Sequence, residues 1–158
     1  MKVASNTTPI ISLSSIQRLE LLKLLFKQVY IPKAVYQEIK TKKLFGYKEI
    51  DANWVKVMEI KGRKYLGFLL NDLDVGEAEA IVLAKEIEAD ILLIDERIGY
   101  DIAKSQNIFA IGTLTVLLMA KQKGLIQRVK PLLNEMIQKG RWYSEKTCKG
   151  FLEKIGEV

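Results

Sequence analysis

The run Ile91-Leu92-Leu93-Ile94 is apolar without a break, and Asp95 follows it directly. An apolar run this short, set between two helical patterns, reads as a strand buried on both faces. The same reading recurs along the chain. Lys2–Ser5, Gln28–Ile31, Trp54–Ile60 and Phe109–Ile111 are short strand patterns, each separated from the next by helical spacing. Strands buried on both faces and alternating with helices predict an α/β sandwich, three-layered, with a mainly parallel sheet. Right-handed crossovers then put every strand's carboxyl end on one edge, where such sheets bind their ligands.

The intervening elements follow from periodicity and caps. Ser12–Phe26 reads as one helix, capped by Ser12 or Ser14, with Ile16, Leu19, Leu22, Leu25 and Phe26 at helical spacing. Pro32 suits the first position of a helix over Lys33–Thr41. Lys42–Tyr47 is basic and irregular, and Tyr65–Leu70 suits one further helical turn. Leu73–Gly76 turns into a helix over Glu77–Glu88, and further helices are expected over Arg97–Ser105 and Leu114–Lys123. Helical pattern resumes from about residue 129 and is interrupted near Gly140-Arg141. The 158 residues are therefore expected to form one domain, 1–158, with a C-terminal helical segment.

The residue inventory narrows the chemistry. There is no histidine and one cysteine, Cys148. A Ser-His-Asp triad and a His- or thiolate-ligated zinc are thus excluded. Any reaction must be run by carboxylates, amides, hydroxyls and Lys or Arg. A lone cysteine, no apolar run of membrane-spanning length and no leader-like N-terminus point to the cytoplasm and away from membranes. The formal charge of +6 is unevenly spread. Residues 71–96 hold nine acids and one base, whereas residues 33–64 and 121–158 each hold nine bases and four acids. Most of these charges belong to solvated faces. An acidic pocket with basic flanks is also what the meeting of metal ions with a polyanion requires. Lys42, Lys43, Lys48, Arg63 and Lys64 are an RNA-binding face or a solvated loop.

Four oxygen-bearing residues can converge at the shared strand edge. Asn6 ends the first strand within the polar run Ser5-Asn6-Thr7-Thr8. Glu38 lies on the helix after the second strand. Glu77 opens the helix before Ile91–Ile94, and Asp95 ends that strand with Glu96 beside it. The path from Glu77 runs out along a helix and back along a strand, so its ends can meet. Clustered carboxylates raise one another's pKa unless a cation neutralises them. Mg²⁺ and Mn²⁺ prefer such all-oxygen sites. Taken singly, Asn6 is more commonly a turn residue, and Glu38 and Glu77 are ordinary helix residues. Glu79, Glu86 and Glu88 are read as surface charges, and Trp142, Tyr143 and Cys148 as packing or dimer contacts.

The chain resembles the PIN-domain family, the ribonuclease fold of VapC-type toxins, and within it a branch of uncharacterised nucleic-acid-binding proteins. The stretches VASNTTPIISL, VYIPKAVYQEI, LDVGEAEAIVLAKEIEADILLIDERIGYDIAK, IGTLTVLLMAKQKGLI and VKPLLNEM carry the resemblance, in order and spacing. It implies a metal-binding quartet at Asn6, Glu38, Glu77 and Asp95, with Glu96 auxiliary. It gives Glu38, Glu77 and Asp95 the catalytic roles, and Thr7 and Thr113 supporting ones. It further implies a Mg²⁺- or Mn²⁺-dependent ribonuclease acting on RNA, the toxin of a toxin–antitoxin pair with a small antitoxin partner, and a homodimer, for which Leu114, Leu117 and Leu118 offer apolar helical surface. The family usually has Asp where this chain has Asn6. That departure favours the alternative of a catalytically weakened module that binds RNA or protein without cutting.

Overall fold

The computed structural model describes residues 1–158. Its strands are β1 (Val3–Ser5), β2 (Val29–Pro32), β3 (Val55–Met58), β4 (Ile91–Leu93) and β5 (Ala110–Ile111). They form one sheet in the order β3-β2-β1-β4-β5, and every neighbouring pair is parallel. The helices are α1 (Thr7–Ser15), α2 (Glu20–Phe26), α3 (Lys33–Thr41), α4 (Arg63–Leu69), α5 (Val75–Glu86), α6 (Arg97–Ser105), α7 (Thr113–Gln122), α8 (Lys130–Gln138) and α9 (Glu145–Lys154). No helix is long and apolar enough to cross a membrane.

The strand side chains alternate between two apolar layers. Val3, Ile91 and Leu93 belong to the larger core, with Ile10 and Leu13 of α1, Leu22 of α2 and Leu117 of α7. Ala4, Leu92 and Ile94 belong to the smaller core, with Ala78 and Ala80 of α5 and Ala103 of α6. This period of two is why the runs carry no polar residue: both faces are covered. The result is an α/β/α sandwich. The strand order reverses between β1 and β4, since β1 leads away to β2 and β4 leads away to β5. That switch point is where an open parallel sheet forms its ligand crevice.

Several local readings are corrected. The helix expected over Ser12–Phe26 is two helices, with a left-handed residue, Gln17 (φ 57°), between them. Neither Ser12 nor Ser14 caps it. The cap position is Asn6, and Ser12 is fully buried inside α1. Pro9 is tolerated within α1 because in the first turn its missing N–H has no helical partner to lose. Glu79 is not a surface charge. It is buried, and its carboxylate accepts from the Ala34 amide in the first turn of α3 (3.1 Å) and faces Arg63 (3.5 Å). An acid at a helix N-terminus is favourable, and here it ties α5 to α3. Leu114 and Leu117 face the protein's own core, so they offer no surface to a second copy.

The chain's end is pinned by one carboxylate. Glu157 is 6% exposed. It accepts from the Val129 and Lys130 amides at the start of α8 (both 2.9 Å) and from Lys121 Nζ (2.8 Å). Burial alone would raise its pKa. The Lys121 hydrogen bond, the two amides and the Lys121 charge outweigh that and bring it from 4.5 to about 2. A depressed folded-state pKa adds stability above pH 4.5 that is lost as pH falls towards 2. Glu157→Gln should therefore cost on the order of 2–3 kcal/mol at pH 7. Urea unfolding should show the two proteins converging in stability near the acid end of that window.

Candidate metal centre

Register places the candidate residues. Ser5 pairs with Leu93, and Leu93 pairs with Ile111. The Asn6 amide donates to the Leu93 carbonyl, and the Ile94 amide donates to the Ile111 carbonyl, both at 2.9 Å. Asp95 and Thr113 therefore leave neighbouring strands at one level of the sheet edge, and Asn6 leaves β1 one residue short of that level.

Asp95 is held from two sides by one residue. Its Oδ1 accepts the Thr113 amide (2.7 Å) and its Oδ2 accepts the Thr113 hydroxyl (2.6 Å). Thr113 is the first residue of α7, so the carboxylate also meets that helix's positive end. A Cβ at Gly112 would lie 2.7 Å from Asp95 Oδ1, so a larger residue there would push the carboxylate out of its Thr113 hydrogen bonds. Burial pushes the Asp95 carboxyl above its ordinary pKa, and the Glu96 charge adds to this. The Thr113 hydrogen bonds and the Arg141 charge oppose the rise.

The polar run after β1 serves the acids around it. The Thr7 hydroxyl donates to Glu38 (2.7 Å), and the Thr8 hydroxyl donates to Glu96 (3.3 Å). Asn6 is 2% exposed and occupies the cap position of α1 without making a side-chain cap bond. Its Oδ1 is buried and has no hydrogen-bond partner. A Cβ at Gly76 would lie 3.6 Å from Asn6 Oδ1, 3.6 Å from Asp74 Oδ1 and 3.3 Å from Thr7 Oγ1. The first turn of α5 thus leans directly on this run, close enough that a Cβ at Gly76 would press on the Thr7 hydroxyl.

Glu77 sits in that turn. Asp74 caps α5 through the Glu77 amide (2.8 Å). Burial raises the Glu77 pKa to about 8, helped by the hydrogen bond and charge of Asp74 and by the charge of Glu96. Glu77, Asp74 and Glu96 thus form one electrostatic group, and Asp95 joins it through Glu96. Glu38 stands apart, linked through Thr7 and paired with Lys42 (3.3 Å). No three acidic side chains lie close enough to hold an ion among them. The four residues lie about one end of the sheet without forming a closed ligand shell.

A cavity of about 570 Å³ opens beside Asp95 and Glu96, lined also by Arg97, Arg141, Trp142 and Tyr143. Arg141 Nε donates to Ser12 Oγ (3.2 Å). Burial raises the Tyr143 hydroxyl pKa to about 12, helped by the Asp95 charge and opposed by Ser12, Thr113 and Arg141. Tyr143 is therefore a proton donor at any ordinary pH. Trp142 is 83% exposed at the cavity's edge, not a packing residue. Thr8, Arg141 and Tyr143 line this cavity and Asp74 holds the Glu77 amide, roles that the sequence pattern does not assign. Asp74 alone had a signal, an Asp three residues before a helical Glu.

A family model described as a PIN domain matches residues 2–157. Among solved structures, the chain is similar to a PilT N-terminus domain protein from the hyperthermophilic archaeon Sulfolobus solfataricus P2. The identity is 18% and the TM-score 0.58, covering 76% of this chain and 93% of that one. No curated protein matches the chain.

The raised pKa of Glu77 has a stability consequence. The folded state holds a proton that the unfolded state has released, so stability falls as pH rises from 4.5 to about 8. Glu77→Gln removes that dependence. In chelator at pH 8.5 its melting temperature should exceed the parent's by about 2–4 °C, the residue being only half-buried, with little difference at pH 4.5. Asp74→Asn should lower the Glu77 pKa, read from its side-chain carbonyl shift by NMR.

Proposed function

The chain belongs to the PIN-domain family, and from that premise we propose that it is a divalent-metal-dependent ribonuclease whose reacting centre is the pocket at the ends of β1 and β4. PIN domains are generally nucleases. The observation that carries the reading here is the Asn6 Oδ1 atom, buried and unpartnered at the strand edge where burial, with the charge of Glu96, raises the pKa of both Glu77 and Asp95. A buried acceptor without a donor costs about 1–3 kcal/mol, and a hard cation is the partner that would relieve it and the acids together.

The donors fit Mg²⁺ or Mn²⁺ in kind, being all oxygen, and in number if water completes the shell. Mg²⁺ commonly takes one or two carboxylates and keeps several waters, which suits acids too spread to enclose an ion. Asn6 with one or two of Glu77, Asp95 and Glu96 would hold it, water taking the remaining positions, with Glu38 acting through Thr7. A bound ion supplies charge neutralisation and a water of lowered pKa. The chain's own residues do the rest. Thr113 keeps Asp95 oriented before substrate arrives. Arg141, at the cavity wall, offers a guanidinium to a phosphodiester oxygen. Tyr143 holds its proton and can offer that oxygen a hydrogen bond.

A second reading has its own support. Asn6 supplies a dipole where a carboxylate would supply a charge, which weakens metal affinity and favours a module that binds RNA or protein without cutting. The finer roles, a toxin with a small antitoxin partner and a homodimer, rest on the family resemblance alone. A monomer at micromolar concentration in sedimentation would remove the dimer.

Labelled RNA incubated with the purified protein should be cut in Mn²⁺ or Mg²⁺ and left intact in chelator. Asp95→Asn should slow cleavage by about 100-fold or more, the scale of losing one positioned charged group in a reacting centre. Cleavage that survives chelator, or survives Asp95→Asn unchanged, would refute the reading. Asn6→Asp should lower the melting temperature in chelator by adding a repelled charge. It should also gain more thermal stability from Mn²⁺ than the parent and cut faster. An identical metal response in both proteins would put the binding module ahead.

A further inference from the structure

The cavity beside Asp95 does not end at Arg141. The same residue lines a second groove of about 660 Å³, whose other walls include Lys43, Phe45 and Lys48 from the loop after α3 and Lys139 just beyond α8. Four cationic residues line that groove against one acid, Glu49. Its aromatics are not tucked away: Phe45 is 45% exposed, and Trp142, across Arg141 in the first cavity, is 83% exposed.

We propose that cavity and groove form one track for a single-stranded nucleic acid, in which the Trp142 indole stacks an unpaired base beside Asp95 and Arg141 bridges the acidic pocket to the basic groove. Only the claim about where a strand is cut rests on the ribonuclease reading. The binding track stands on the groove itself.

The charges explain the arrangement. An acidic pocket repels phosphates, so a polyanion can reach it only along cations. Arg141 is positioned for that crossing, its Nε fixed on Ser12 Oγ and its charge felt by Asp95. Beyond it, Lys139, Lys43 and Lys48 continue the positive path. Flat aromatic surface interleaved with cations is what holds unpaired nucleotides, because every base has a face to stack. A duplex keeps its bases stacked inside and cannot use Trp142. An acidic protein segment would meet the lysines but has no base to lay on the indole.

Binding can be measured in chelator, where a metal-dependent reaction is silent. A short labelled RNA strand, the same sequence as a duplex, and polyglutamate are titrated against the protein while tryptophan emission is followed. The single strand should bind most tightly and quench emission. Trp142→Leu should lose the quench and weaken binding about tenfold, while Trp142→Phe keeps most of the affinity. Lys43→Glu and Lys139→Glu should each weaken binding and flatten its salt dependence. The proposal fails if the duplex binds as tightly, if polyglutamate competes as well as RNA, or if the quench persists in Trp142→Leu and so reports Trp54. Cleavage separates the two readings. A protein that binds single strands through Trp142 but never cuts retains the track and loses the ribonuclease. One that cuts with the same KM after Trp142→Leu retains the ribonuclease and loses the track.

Discussion

Everything at the pocket depends on the parallel pairing of β1 with β4. Val3, Ala4 and Ser5 lie opposite Ile91, Leu92 and Leu93, and the Asn6 amide closes the ladder on the Leu93 carbonyl. A slip of one residue would send Val3 and Ala4 to each other's layers and turn the Asn6 side chain to the other face of the sheet. The packing forbids it, because Val3 fills the large core and Ala4 admits the alanine-rich face of α5. Ala4 is small for a reason that reaches the site. With Ala78 and Ala80 in the same layer, it lets α5 come close enough for Gly76 to lean on Asn6 and Thr7. The hydrophobic register and the position of Glu77 are one constraint.

Given that frame, the acids are held by groups that cost the chain little. Thr113 uses an amide that a helix's first turn leaves unpaired and a hydroxyl beside it, and both go to Asp95. Thr7 and Thr8 do the same work for Glu38 and Glu96. Neutral donors orient a carboxylate without cancelling its charge. Had lysines or arginines closed over these acids, the pocket would be a set of ion pairs. The cations are instead kept at its margin, in Arg97 and Arg141 along the cavity and Lys42 outside Glu38.

The sequence carried the fold well because parallel strands buried on both faces leave an unmistakable trace. The runs around Ile91–Ile94 and Phe109–Ile111 were placed nearly to the residue, and the helix Arg97–Ser105 was placed with its observed ends. The break between α1 and α2 was missed because it needs only one left-handed residue, Gln17, which any polar side chain can supply at some cost. Glu79 was misread for a related reason. A charge on an amphipathic helix is usually solvated, and its partner, the Ala34 amide, lies 45 residues away with no local signature. Arg141, Trp142 and Tyr143 were hidden more thoroughly. They come from an irregular segment whose place over the pocket is set by α8 and α9 and by the Glu157 anchor, none of which periodicity orients. Residues that end strands could be read from the chain, whereas residues delivered by tertiary packing could not.

Asn6 shows how this pocket remains folded with no ion to neutralise it. A side chain 2% exposed at this position would, as a carboxylate, add a desolvated charge to a group that already repels itself. The amide keeps the oxygen and drops the charge. A second charge is dropped by Glu77, which holds its proton to about pH 8. The two devices differ in kind. Asn6 is neutral permanently, so its oxygen waits without a donor whatever the solution holds. Glu77 is neutral conditionally, and a cation brought near Asp74 and Glu96 would reverse the balance that raises its pKa. Below about pH 8, charge therefore returns to the pocket at Glu77 when a cation is there to meet it. The fold need not bear in advance the repulsion that a fully acidic quartet would impose.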